Sequence, residues 1–245
     1  MNLELFIARR IAHNGSGNRP GVMVRIAVVA VALSVTVMIL ALAVIMGFKR
    51  EITDRVTGFS AQVEVADLRS AGSIESVPVL RSEQLERTIR SAGEVVRLTP
   101  YAVKGGVVKT PDAILGVMLK GVDGGYEWSF FRDHLLEGEL PRVGDSIRTK
   151  EILISRSVAR EMGLAPGDKV EMLFVESEKS PRRDRFKVAG IYSSGMDEMD
   201  NTVILTDLRN VQRLSDWAPD EISGYEVFTD DLAGADDFAR RLGHT

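Results

Sequence analysis

From Ile26 to Met46 the chain runs for 21 residues without a charged side chain. Ser34 and Thr36 are its polar members, and a hydroxyl on a helix can bond back to its own backbone. At about 1.5 Å per residue, a helix over this run covers roughly 31 Å, the thickness of a hydrocarbon core. Lipid demands that every backbone group be paired internally, and a helix meets that demand. The run therefore predicts a transmembrane helix; a buried core helix seldom stays apolar for so long. A cleaved leader is the other alternative, since Ala41-Leu42-Ala43 has the small-x-small form of a cleavage site. Against it, the basic leader reaches to Arg25, and the apolar stretch exceeds the about 7–15 residues usual for such leaders.

Charge is divided unevenly around this helix. Residues 1–50 hold Arg9, Arg10, Arg19, Arg25, Lys49 and Arg50 against a single acid, Glu4, while the whole chain sums to −4. A basic end of this kind points to a membrane or nucleic-acid contact, and the apolar run selects the membrane. Arg9, Arg10, Arg19 and Arg25 precede the helix, and Lys49, Arg50 and Arg55 follow it. The positive-inside rule then favours, narrowly, a cytoplasmic N-terminus. Leu3, Phe6, Ile7 and Ile11 recur at helical spacing, which predicts a short amphipathic helix on the membrane face within 1–21. Gly15 to Gly21 is a flexible elbow. Phe48, Ile52, Val56 and Phe59 continue an apolar stripe, so the helix is expected to run on as a stalk over 22–57 and stop near Gly58. Ala27, Ala30, Ser34 and Ala41 fall near one helix face, a small-residue stripe that would let another membrane helix approach.

Beyond the stalk the pattern is mixed α and β. Gln62 to Val65 and Val95 to Leu98 read as strands, the second stopped by Pro100. Thr110-Pro111-Asp112 is a turn between two strands. Ser155 is placed to cap a helix with Val158, Ala159 and Met162 inward and Gly163 at its end. Ala165-Pro166-Gly167-Asp168 is a turn before a strand from Val170, and Thr206 or Asp207 opens a helix through Leu208, Val211 and Leu214. Gly105-Gly106 and Gly124-Gly125 read as turns. The final apolar periodicity, Leu232 to Leu242, meets the chain end at Thr245 without a cap, as in an interrupted chain.

Little in the residues points to catalysis. There is no cysteine, and His13, His134 and His244 lie far apart. No P-loop, dinucleotide fingerprint, nucleophile elbow or zinc motif occurs. Asp197, Glu198 and Asp200 are close enough to hold a cation, but their spacing departs from a calcium loop, and a polar turn is the expected role. Glu176 to Lys187 is rich in charge. Its expected form is a solvated loop, with docking of a partner through Glu176, Arg182, Arg183 and Arg185 as the sharper alternative. Tyr126, Trp128, Phe130 and Phe131 are expected to serve packing. Neither a metal nor a nucleic-acid partner is indicated.

Several stretches together resemble the permease subunits of lipoprotein-releasing ABC transporters, the LolC/LolE type within the MacB/FtsX family. They are Met46-Gly47-Phe48-Lys49-Arg50-Glu51 at the helix exit, Leu115 to Asp123, and Ile154-Ser155 with Met162 to Val170. The last is Phe186 to Ile191 leading into Ser194-Gly195-Met196-Asp197-Glu198-Met199-Asp200. The resemblance implies an α+β chain, with one N-terminal transmembrane helix and a periplasmic MacB-like core domain. That domain would have a porter-like subdomain over 58–112 and 219–245, and an inserted sabre-like subdomain over 113–218. It implies a non-enzymatic subunit of the inner membrane with no cofactor, ATP being bound by a separate ATPase subunit. Implied partners are that ATPase, a second permease subunit in a homo- or heterodimer, lipoprotein cargo and a periplasmic carrier, besides membrane lipid. In LolC-type members a protruding loop captures the carrier; Glu176–Arg185 is shorter and more charged. Two rivals stay open: a MacB-type efflux mechanotransmitter or FtsX-type regulator, and a single-span anchored periplasmic binding or sensor protein.

Overall fold

The computed structural model describes residues 3, 6, 7, 22–70, 76–91, 93, 95–111, 113–144, 147–176, 179–196, 200–229 and 234–242. The chain divides into two compact units, Met1–Asp54 and Arg55–Thr245. In the first, Leu3, Phe6 and Ile7 are helical and exposed; the rest of the expected amphipathic segment lies outside the described residues. Helix α1 (Val22–Phe59) is continuous and ends one residue past Gly58. Its stretch Val24–Lys49 is long and apolar enough to cross a membrane. Ser34 Oγ donates to the Ala30 carbonyl at 2.9 Å and Thr36 Oγ1 to that of Ala32 at 2.8 Å, so the two hydroxyls are satisfied within the helix.

The second unit is built around one nine-stranded sheet. Its strands are β1 (Val63–Ala66), β3 (Val95–Lys109), β4 (Ile114–Val122), β5 (Leu135–Gly138), β6 (Glu151–Ser155), β7 (Lys169–Glu176), β8 (Lys179–Tyr192), β9 (Val203–Asp207) and β11 (Gly224–Thr229). A separate two-stranded pair joins β2 (Val79–Leu80) to β10 (Glu221–Ile222). Around the strands lie α2 (Glu83–Ser91), α3 (Ser129–Asp133), α4 (Arg156–Met162), α5 (Leu208–Ser215) and α6 (Ala235–Leu242). Six strands pair in a ring, β3-β4-β9-β6-β8-β7 and back to β3, which closes that part of the sheet on itself. Closure removes free edges, the aggregation-prone part of any sheet. Strand β3 makes this possible by changing partners: its first half pairs β11, and Val107–Lys109 pair β7. The alternation of strand side chains gathers Val108, Leu119, Ile152, Ile154, Met172, Phe174, Phe186, Val188 and Ile204 in one apolar core.

Helix signals in the sequence act as local chemistry dictates. Ser155 Oγ accepts the Val158 N–H at 3.1 Å, and Gly163 ends α4 in the left-handed conformation at φ 64°. Asp207 caps α5, accepting the Arg209 N–H at 2.9 Å. Three expectations need correction. Pro100 does not stop a strand: β3 passes through it, opposite Tyr225, because the β4 ladder begins only at Tyr101 and one flank of β3 is still unpaired there. Gly105 and Gly106 are no turn but lie within β3, where a Cβ on Gly106 would sit 2.7 Å from the Phe174 ring. Most of the charge-rich stretch is strand rather than loop: Glu176 ends β7 and Lys179–Lys187 lie in β8, the two pairing from Lys169↔Lys187 to Glu176↔Lys179.

Candidate functional site

The last residue of α1 is seated among aromatic side chains. Phe59 is 4% exposed, with ring centroids 5.6 Å from Phe131, 6.3 Å from Phe130 and 6.3 Å from Tyr192. Phe130 and Phe131 come from α3, and Tyr192 from the end of β8. Tyr126 and Trp128, 4.9 Å apart in an edge-on arrangement, extend the group. Val122, Leu153 and Leu205, from three strands of the ring, complete this second core. The expected packing role of the aromatic patch thus becomes specific: it holds the end of the helix. Edge-to-face pairs add about 0.5–1.5 kcal/mol each beyond area burial.

A polar clamp lies beside this socket. The Asp200 carboxylate accepts from Ser194 Oγ at 2.7 Å and from the Ser194 N–H, and the Asp200 carbonyl accepts from Ser155 Oγ. Met196 packs against the aromatic core. Asp200 is therefore buried, with its carboxylate held by Ser194 and its carbonyl by Ser155. Asp197 and Glu198 lie outside the described residues, and no metal-holding group of acids or histidines occurs among the described ones.

A buried ion pair lies across the sheet. Lys120 Nζ on β4 is 2.6 Å from Glu226 Oε1 on β11, with both side chains nearly solvent-free. The ammonium sits 6.0 Å from the Tyr101 ring and 5.9 Å from that of Tyr126. Burial, with the nearby carboxylates of Glu64 and Glu226, pushes the Tyr101 phenol well above its ordinary value. The one local signal of this pair in the sequence is a lysine within the otherwise apolar Ile114–Val122.

The proposed docking residues are spread along the β7–β8 hairpin. Arg182 donates to the Arg213 and Leu214 carbonyls at 3.2 and 3.4 Å, at the C-terminal end of α5, and pairs with Asp216. Arg183 is 3.7 Å from Glu171. Arg185 is exposed on β8, and the side chain of Glu176 lies outside the described residues. The hairpin does not bring these residues together on one loop. Ala27, Ala30, Ser34 and Ala41 are all exposed on α1.

The profile of the MacB-like periplasmic core domain matches residues 26–244, helix and folded domain together. The lipoprotein-releasing system transmembrane protein LolC of Xylella fastidiosa (strain 9a5c) is 25% identical over 212 residues, 82% of this chain and 48% of its own length. The corresponding LolE of Haemophilus influenzae is 22% identical, over 94% of this chain and 56% of its own. The chain thus spans about half the length of the curated relatives it matches. Among solved structures, the periplasmic region of MacB from Actinobacillus actinomycetemcomitans is 16% identical with a TM-score of 0.45, covering 74% of this chain and 78% of its own. The extracellular domain of the transporter YknZ from Gram-positive bacteria is 13% identical with a TM-score of 0.45, covering 71% of this chain and 84% of its own.

Proposed function

The chain belongs to the MacB-like periplasmic core domain family, and from that membership we propose that it is a membrane permease subunit of an ABC transporter releasing lipoproteins from the inner membrane. One observation carries the reading: a single family profile covers the apolar helix and the sheet domain in one unbroken match. The similarity to LolC and LolE supports lipoproteins as the cargo. The N-terminus lies in the cytoplasm and the domain in the periplasm, as the basic flank of the helix favours. A separate ATPase subunit hydrolyses ATP, a second permease subunit pairs with this one, and this chain itself performs no chemistry. Its task is mechanical. A long helix displaces as a rigid body, and the aromatic socket around Phe59 gives that displacement a point of purchase on the domain.

Depletion in the source organism tests the cargo: lipoproteins should accumulate in the inner-membrane fraction, and unchanged sorting would refute it. The MacB family match also favours a second reading, an efflux mechanotransmitter, with an FtsX-type regulator close to it. Affinity purification separates them, since an outer-membrane channel would accompany an efflux subunit and a cell-wall hydrolase a regulator. The division of the domain into a porter-like part, 58–112 with 219–245, and an inserted sabre-like part, 113–218, belongs to the same reading.

A further inference from the structure

A polar cleft of about 450 Å³ opens where the β3–β4 turn meets the start of β7 and the end of α4. Lys109, Lys169 and Arg185 line it, and all three are exposed. Strand pairing sets Lys109, Glu171 and Arg185 in one row across β3, β7 and β8. It also places Lys169 directly opposite Lys187, an arrangement of like charges that opposes strand pairing. Asp168 and Glu171 share the lining with the three cations, so the cleft carries a net positive charge of one. Asp168 accepts the Ala165 N–H at 2.8 Å, closing its own turn, and Glu171 lies beside Arg183. Among the described residues, Lys109, Lys169 and Arg185 make no ion pair. Composition does not account for this excess, because the chain beyond residue 50 is rich in acid. Met162, Leu164 and Val170 also line the cleft, Met162 and Val170 as nearly buried members of the main core.

We propose that this cleft binds a short acidic peptide segment, taking a side-chain carboxylate at Lys109, Lys169 and Arg185 and an adjacent apolar side chain over Met162, Leu164 and Val170. Charge-assisted bonds from arginine and lysine recognise carboxylates. The volume fits a few side chains rather than a whole surface. Free phosphate would gain nothing from the apolar lining, which favours an anion carried on an apolar body. The site is independent of the transporter reading and is defined by this chain alone.

Fluorescence anisotropy tests it with the full chain in a non-ionic detergent and a labelled peptide of alternating Leu and Glu. Saturable binding is expected, at least tenfold weaker for the Leu-Gln counterpart and for the Lys109→Glu/Lys169→Glu/Arg185→Glu variant. A variant of equal net charge altered elsewhere, Arg90→Glu/Arg132→Glu/Arg240→Glu, should bind like the parent. Equal binding of the Leu-Gln peptide, or equal loss in the control variant, would overturn the site. Complete displacement by inorganic phosphate at the peptide's own concentration would overturn the peptide assignment.

Discussion

Lys120 and Glu226 show how a buried charge is tolerated here: by a partner at 2.6 Å. Taking either ion from water costs several kcal/mol, and their attraction offsets that only while both remain. Lys120→Ala should therefore lower unfolding free energy in urea by about 3–5 kcal/mol, because it strands the Glu226 carboxylate. The double variant Lys120→Met/Glu226→Leu should recover most of that loss; if it does not, the pair is not the source of the effect. The tyrosines make a second case. Burial raises the phenol pKa of Tyr101, Tyr126 and Tyr192, and burial with the Glu86 carboxylate pushes Tyr225 up to about 12. Tyr225 Oη donates to Glu86 Oε1 at 3.1 Å, a bond only the neutral phenol can make. These are all four tyrosines of the chain. A raised native pKa gives stability that is fully present below the unfolded value near pH 10, and is lost as pH rises through the native values. Absorbance at 295 nm should accordingly stay flat through pH 10 and rise only with alkaline unfolding. Half-ionisation at pH 10 with the fold intact would contradict the buried placement.

Helix α4 was legible because its signals are local: Ser155 at the start, Gly163 at the end, and apolar residues at helical spacing between them. The structure adds a second task for Ser155 that no local rule contains, its hydroxyl donating to the Asp200 carbonyl 45 positions away. Ser155→Ala removes a cap and leaves a buried carbonyl unpaired, for a combined loss of about 2 kcal/mol by thermal or urea melting. Ser155→Thr, which keeps both bonds, should lose much less. The strands are less legible in the sequence, for physical reasons. Gly105-Gly106 carries the same residues whether a chain turns or a neighbouring ring presses against its backbone, and Phe174 lies 68 positions from Gly106. The run from Lys179 to Lys187 hides its alternation, because its inward positions include Arg182 and Asp184. Asp184 is satisfied there by Lys150 and Arg213, which come from other parts of the chain. At the candidate site, helical spacing marked Phe59 as apolar, but nothing near it in sequence announces Phe131 and Tyr192 as its neighbours.

Closure of the six-stranded ring has a consequence for how the second unit should unfold. The first core draws Leu119, Ile152, Ile154, Val188 and Ile204 from β4, β6, β8 and β9; the aromatic core draws Val122, Leu153, Tyr192 and Leu205 from the same four strands. Adjacent residues of one strand face opposite cores, so neither core can lose its packing without pulling apart strands that build the other. The chain carries two tryptophans, and they divide between the cores: Trp128 packs against the aromatic one and Trp217 against the larger one. Single-tryptophan variants, Trp128→Phe and Trp217→Phe, would each report one core by fluorescence. Shared strands require the two denaturation midpoints, each corrected for the stability of its variant, to coincide in a single transition. Two separate midpoints would mean that the cores unfold independently, and that the ring does not hold them together.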